Sequence, residues 1–244
     1  MTRVRIAIVS DIHGNLTALE VVIADLLDQS PDAIYHLGDL VTHGCRPAEV
    51  VDRIRDIGWK GVLGNTDEML WRPELFANLA AAAPKLRPLY EALFQDLAPA
   101  TRDLLGPDRI AWLQTLPPTM DDSELTMLHA SPGNLWRAPL PDAPGQEVSA
   151  AYQVLNGRIV VYGHIHRPYI RCVENRIVAN TGSVGLSYDG DARASYLLIT
   201  DGRCEIRRVP YDVEQETRAL LASTYPRRDW LAGMLRTARY APAT

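Results

Sequence analysis

The sequence predicts an α/β fold in which two sheets pack together with helices outside, and three observations carry that reading. The first third alternates apolar, β-branched runs with helically spaced ones, β-α-β-α-β, which implies parallel strands and right-handed crossovers. From Glu124 onward the pattern is mostly strand, with turn pairs of hairpin type. Nothing resembles an interdomain linker, so residues 1–244 are read as one domain with an insertion.

In chain order, Arg3 to Val9 is a buried strand, followed by the loop Ser10-Asp11-Ile12-His13-Gly14-Asn15. A helix fits Leu16 to Leu27, with Leu16, Leu19, Ile23 and Leu26 on one face, and Pro31-Asp32 breaks it. Ala33 to Leu37 is the second strand. Pro47 suits the first turn of a helix whose Val50, Val51, Ile54 and Ile57 face inward, and Gly58 suits its C-terminal end. Trp59 to Leu63 is the third strand. The Ala- and Leu-rich stretch from Glu68 to Leu116 is read as a helical insertion, serving either as a cap beside the ligand crevice or as packing on the flank. Strands then fit Leu125 to Leu128, Arg158 to Tyr162, Tyr169 to Val173 and Arg176 to Ala179, the last two joined at Glu174-Asn175. Asp201-Gly202 joins a final pair, Ala194 to Thr200 and Glu205 to Val209. A helix around Val213 to Ser223 precedes a polar tail.

Composition narrows the function classes. The net charge is −5 and no long basic block occurs, so no nucleic-acid footprint is indicated; Arg207-Arg208 and Arg227-Arg228 read as solvated surface. Cys45, Cys172 and Cys204 are odd in number and widely spaced, which argues against a disulfide framework or thiolate zinc cluster and fits reduced thiols in the cytoplasm. Cys45 is read as a small loop residue. The N-terminus runs straight into a strand without the apolar stretch of a signal peptide, and no run is long enough to span a membrane.

The chemistry collects at strand ends. Asp11 and His13 follow the first apolar run, Asp39 the second, Asn65 the third, His129 a fourth, and His164 and His166 a fifth. In sheets of strand-helix-strand units, ligands bind outside the carboxyl ends of the strands. Each pair alone would be unremarkable. Carboxylate oxygens and imidazole nitrogens converging in one crevice indicate a first-row transition-metal site.

Asp11-x-His13, Gly38-Asp39, Gly64-Asn65-x-Asp67, His129 and Gly163-His164-x-His166, in that order, resemble the calcineurin-like metallophosphoesterases. Ser10 through Asn15 and Asn180-x-Gly182-Ser183 resemble the family's small bacterial and archaeal phosphodiesterase branch, over about Val4 to Tyr211. The resemblance implies a four-layer α/β/β/α sandwich of two mixed sheets. It implies a two-metal phosphoesterase, foremost a phosphodiesterase, in which a metal-activated hydroxide attacks phosphorus in line. A phosphomonoesterase or nucleotide pyrophosphatase on the same metals is the nearest alternative; a non-catalytic interaction scaffold is an alternative of another class. Carried over, Asp11, His13 and His166 hold the first ion, Asn65, His129 and His164 the second, and Asp39 bridges both, so that Asp39 and Asn65 also count as catalytic. Manganese is favoured, with iron, zinc, nickel or cobalt as alternatives. The expected partner is a small phosphoester, with no membrane; a homodimer is left open.

One position departs from the pattern. Many members carry His directly after the motif Asn, where this chain has Thr66, and a threonine hydroxyl is a poor general acid. Asp67 then either orients a neighbouring group or serves the turn. His43, four residues past Asp39, is the candidate proton donor or phosphate ligand. His36, within the second strand, is expected to pack with one hydrogen bond.

Overall fold

Apolar residues near the start of the chain form β1 (Arg5–Val9), whose last three residues are buried. The computed structural model describes residues 4–243. Asn15 caps α1 (Leu16–Gln29) by accepting the Ala18 N–H at 2.9 Å. β2 (Ala33–His36), α2 (Pro47–Asp56) and β3 (Lys60–Gly61) complete the expected β-α-β-α-β unit, and β1, β2 and β3 pair in parallel. β3 is shorter than the expected Trp59 to Leu63, because the Leu63 N–H turns to the Pro117 carbonyl at 2.9 Å.

The Ala- and Leu-rich stretch is helical, as expected. It follows the short α3 (Asn65–Glu68) and comprises α4 (Leu75–Ala82), a 3-10 turn (Pro84–Leu86) and α5 (Arg87–Glu91), which runs through a π-helical stretch (Ala92–Leu97) into α6 (Ala98–Leu113). Gly106, with φ of +70°, and Pro107 kink α6.

The C-terminal half holds β4 (Thr119–Asp122), β5 (Leu125–Leu128), α7 (Gly145–Tyr152), β6 (Ile159–Tyr162), β7 (Tyr169–Val173), β8 (Arg176–Asn180), β9 (Ala194–Thr200), β10 (Arg203–Val209), α8 (Val213–Ala222) and α9 (Arg228–Thr237). Three of these were not foreseen. β4 is polar and gains its conformation by pairing antiparallel with β5. α7 packs Val148 and Tyr152 onto the second sheet. The polar tail is corrected: it contains α9, which buries Leu231, Ala232, Met234 and Leu235. Each fully buried large apolar side chain there contributes about 1.5–3 kcal/mol over an exposed one.

The strands form two mixed five-stranded sheets, in the orders β10-β9-β1-β2-β3 and β4-β5-β6-β8-β7. Ile8, Leu37, Met127, Val161 and Leu197 fill the space between them. Leu19 of α1, Val51 of α2 and Leu231 of α9 cover the outside of the first sheet, and α7 covers the second. This is the four-layer α/β/β/α arrangement. Among the described residues no helix is long and apolar enough to cross a membrane.

Candidate metal centre

Parallel strands of both sheets end at one crevice. Asp11 and His13 follow β1, Asp39 follows β2, Asn65 opens α3 after β3, His129 follows β5, and His164 and His166 follow β6. Asp11, His13, Asp39, His164 and His166 hold left-handed backbone, with φ between 51° and 68°. Side-chain-bearing residues adopt that region at a cost, and such residues cluster where function dictates geometry. Two glycines let the loops meet. A Cβ on Gly64 would lie 2.2 Å from Asp39 Oδ1, and one on Gly163 would lie 2.0 Å from Ser10 Oγ.

Asp11, His13, Asp39 and His166 place their ligand atoms within 4.8 Å of one another. His13 Nδ1 donates to the Val41 carbonyl at 3.2 Å, and His166 Nδ1 donates to the Leu186 carbonyl. A carbonyl only accepts, so each neutral ring carries its proton on Nδ1. The two Nε2 lone pairs therefore face each other at 3.0 Å. Two acceptors cannot satisfy one another; a cation satisfies both. This donor set fits a metal ion.

The other residues repeat the pattern. His129 Nδ1 donates to the Leu37 carbonyl at 2.7 Å, leaving Nε2 toward Asn65 Oδ1 at 2.8 Å. His164 Nδ1 lies 2.9 Å from that same oxygen. Asp39 stands between the two groups. Its Oδ1 accepts the Thr66 N–H at 2.9 Å and lies 3.5 Å from His129 Nε2, while Oδ2 lies 3.7 Å from His13 Nε2.

Electrostatics keep His13 and His164 neutral and Asp11 ionised, the forms that bind a cation, and favour the charged form of His129 while no cation is present. Burial, with the neighbouring His166, lowers the His13 pKa to about 4; burial, with His129, does the same to His164. Burial pushes His129 down, but the Asp39 and Asp11 carboxylates outweigh it and raise its pKa. Burial would raise Asp11, but His166, His129 and His13 hold its carboxyl well below the usual range.

The surrounding residues separate the remaining expectations. Asp67 serves the loops: its Oδ1 accepts the Leu40 and Val41 N–H groups at 3.0 and 3.3 Å, and its Oδ2 accepts that of Gly64 at 3.2 Å. Burial and the nearby Asp39 raise its pKa to about 7. Ser183 Oγ donates to the Asp11 carbonyl at 2.7 Å and accepts the Leu186 N–H at 2.7 Å, so the Asn-x-Gly-Ser segment braces both Asp11 and the carbonyl that orients His166. His43 borders the crevice, half-buried, with its Nδ1 3.3 Å from that of His13. The expected hydrogen bond of His36 is absent: neither ring nitrogen has a partner among the described residues, because the ring packs against Gly61 and Trp112.

Sequence reasoning missed an aromatic wall over this centre. Tyr188 lies flat on His166, with centroids 4.4 Å apart and planes 12° apart. Tyr90, Trp136, Trp230 and Tyr240 join it around a cavity of about 170 Å³ that opens onto the site. Trp136 and Tyr188 stand alone in loops and carry no periodic signal; Trp230 belongs to the apolar stripe of α9, which was readable.

A family model described as the calcineurin-like phosphoesterase superfamily domain matches residues 4–202. An uncharacterised protein of Methanocaldococcus jannaschii is 28% identical over 261 residues, covering 96% of this chain and 98% of that protein. The crystal structure of a metallophosphoesterase from Sphaerobacter thermophilus superposes with a TM-score of 0.78 at 26% identity, covering 96% of this chain and 99% of that one. A symmetrical bis(5'-nucleosyl)-tetraphosphatase of Aromatoleum aromaticum is 35% identical over 134 residues, covering 53% of this chain and 44% of that enzyme. The match thus spans less than half of that enzyme's length.

Proposed function

The chain belongs to the calcineurin-like phosphoesterase superfamily, hydrolases that act on phosphoesters with a two-metal centre, and on that premise we propose that it is a phosphodiesterase for small substrates. Asp11, His13 and His166 would hold one ion, Asn65, His129 and His164 the other, and Asp39 both. The observation that carries this reading is Asp39, whose two carboxylate oxygens each face a different imidazole, Oδ2 that of His13 and Oδ1 that of His129. The mixed nitrogen and oxygen donors suit manganese first, then iron, zinc, nickel or cobalt. Bound together, two such ions would supply a hydroxide nucleophile at neutral pH and neutralise charge on the phosphoryl oxygens.

The chain's own groups set the geometry. Asp39 would offset repulsion between two bound cations, and the Thr66 N–H fixes its rotamer. Backbone carbonyls of Val41, Leu186 and Leu37 choose the tautomers of His13, His166 and His129. His43 is pushed well below its ordinary pKa, by burial first and then by His13, so at neutral pH it is suited to hydrogen-bond a phosphoryl oxygen. The helical insertion acts as a cap rather than as flank packing; Leu86, Leu89, Tyr90 and Leu93 bring it to the cavity.

The test is a phosphoester panel on metal-stripped protein with Mn²⁺, Ni²⁺, Zn²⁺, Mg²⁺ or Fe²⁺ returned. Bis-p-nitrophenyl phosphate hydrolysis is expected to vanish on stripping and to return with Mn²⁺. Full activity without bound metal overturns the mechanism, and no turnover with any ion favours an interaction scaffold.

A further inference from the structure

Beyond the metal ligands, the crevice is walled by rings and leucines. Tyr90 and Leu93 come from the helical insertion, Trp136 from the loop after β5, and Trp230 and Tyr240 from the C-terminal segment, which lies outside the family match. The rings are held in place. Trp230 Nε1 donates to the Ala241 carbonyl at 2.9 Å. Trp136 is stacked by Phe94 with centroids 5.6 Å apart and met edge-on by Tyr90 at 6.0 Å.

Two features narrow what such a wall receives. Among the described residues no lysine or arginine lines the cavity; Arg137, next to Trp136 in sequence, lines the adjoining groove instead. Two lining residues, Trp136 and Thr66, carry buried polar atoms, the indole N–H and the hydroxyl, with no partner among the described residues. Both atoms are closed off from the cavity's open space, so the wall that a ligand meets is the apolar faces of the rings.

Resting on the phosphodiesterase reading, the geometry points to a substrate whose single phosphoester carries a planar heteroaromatic group, as a nucleoside does, seated among Tyr90, Trp136, Trp230 and Tyr240. Aromatic faces stack on any base. A polyphosphate chain is disfavoured, because its added charges find no cationic side chain in this cavity. Aromatic cages also hold quaternary ammonium groups. Here two divalent ions held with the carboxylates of Asp11 and Asp39 would leave the centre positive and repel such a group.

The test is calorimetric binding to the manganese-loaded protein, with Mn²⁺ in excess and four probes: adenosine 5'-monophosphate, ribose 5-phosphate, adenosine 5'-triphosphate and phosphocholine. The monophosphate is expected to bind at least roughly tenfold more tightly than ribose 5-phosphate. The triphosphate should add no more than a few-fold. Trp230→Ala should erase most of the preference for the base and Trp230→Phe should keep it. Tyr240, 43% exposed, gives a second variant, Tyr240→Ala, that leaves the core intact. Equal binding of the nucleotide and ribose 5-phosphate overturns the inference. So does a tenfold gain for the triphosphate, tighter binding of phosphocholine, or no binding of any probe. Binding is read without turnover, so base preference in a protein that hydrolyses no ester sinks only the phosphodiesterase reading. Hydrolysis without base preference sinks only the aromatic seat.

Discussion

His13 and His166 meet through their Nε2 atoms at 3.0 Å while each Nδ1 is held by a backbone carbonyl, so two lone pairs are aimed at one point. A cation there binds the folded chain and has no equivalent site in the unfolded one. At a hundredfold excess over its dissociation constant, a ligand adds about 2.7 kcal/mol. For a chain of this size that is roughly a 5–10 °C rise in Tm. Chelator-treated protein is expected to show that rise on addition of Mn²⁺, and His13→Ala to lose most of it. Melting curves that ignore Mn²⁺ would contradict the arrangement.

Gly64 allows Asp39 to sit against α3. In Gly64→Ala, the new Cβ meets Asp39 N at 2.1 Å and Oδ1 at 2.2 Å. Overpacking of this kind costs about 1–3 kcal/mol. Metal content per chain should fall together with stability. Gly145→Ala, whose Cβ would find nothing nearer than 4.0 Å, should leave both intact. A Gly64→Ala protein with wild-type stability and full metal would show that the close approach is dispensable.

His36 gives the fold a pH dependence. Burial lowers its pKa to about 3, against about 6.5 in the unfolded chain. Between those values the unfolded state binds the extra proton, so this contribution to stability is whole above pH 6.5 and is lost as pH falls toward 3, at roughly 1 kcal/mol per pH unit. Other buried histidines titrate too, so the comparison is between wild type and His36→Leu in urea unfolding at pH 7.5 and 5. The variant should lose less stability over that interval; identical losses would mean that His36 does not titrate as described.

Thr66 stands where many family members carry a histidine, and its hydroxyl has no partner among the described residues. With no acid at this position, aryl phosphodiesters should turn over much faster than alkyl ones. Thr66→His should improve the alkyl substrates, by up to about a hundredfold. His43→Ala should impair both classes alike if His43 holds phosphate, and the alkyl class selectively if it donates a proton. A wild type with no leaving-group preference, unaltered by Thr66→His, removes the case for a missing acid.

The residues that gather at the crevice were legible because each follows an apolar run, and parallel pairing carries every such end to the same edge of the sandwich. α1 and α2 were legible because one face of each is apolar at helical spacing, and β5 and β9 because they are short, mostly apolar runs buried on both faces. β4 was not, because Thr119-Met120-Asp121-Asp122 has no apolar alternation and becomes a strand only by pairing with β5. α9 was passed over because Pro226-Arg227-Arg228 masks its start, although Leu231, Met234 and Leu235 repeat at helical spacing. The aromatic wall depends on side chains as far apart as Tyr90 and Tyr240, and only the folded chain brings them together.

The central claim is a pair of ions bridged by Asp39, and anomalous X-ray scattering from a crystal of the manganese-loaded protein tests it most directly. The account predicts two peaks per chain, about 3.5–4 Å apart, with one Asp39 oxygen toward each and Asn65, His129 and His164 around the second. A single peak among Asp11, His13, Asp39 and His166, with Asn65, His129 and His164 left without metal, would contradict it.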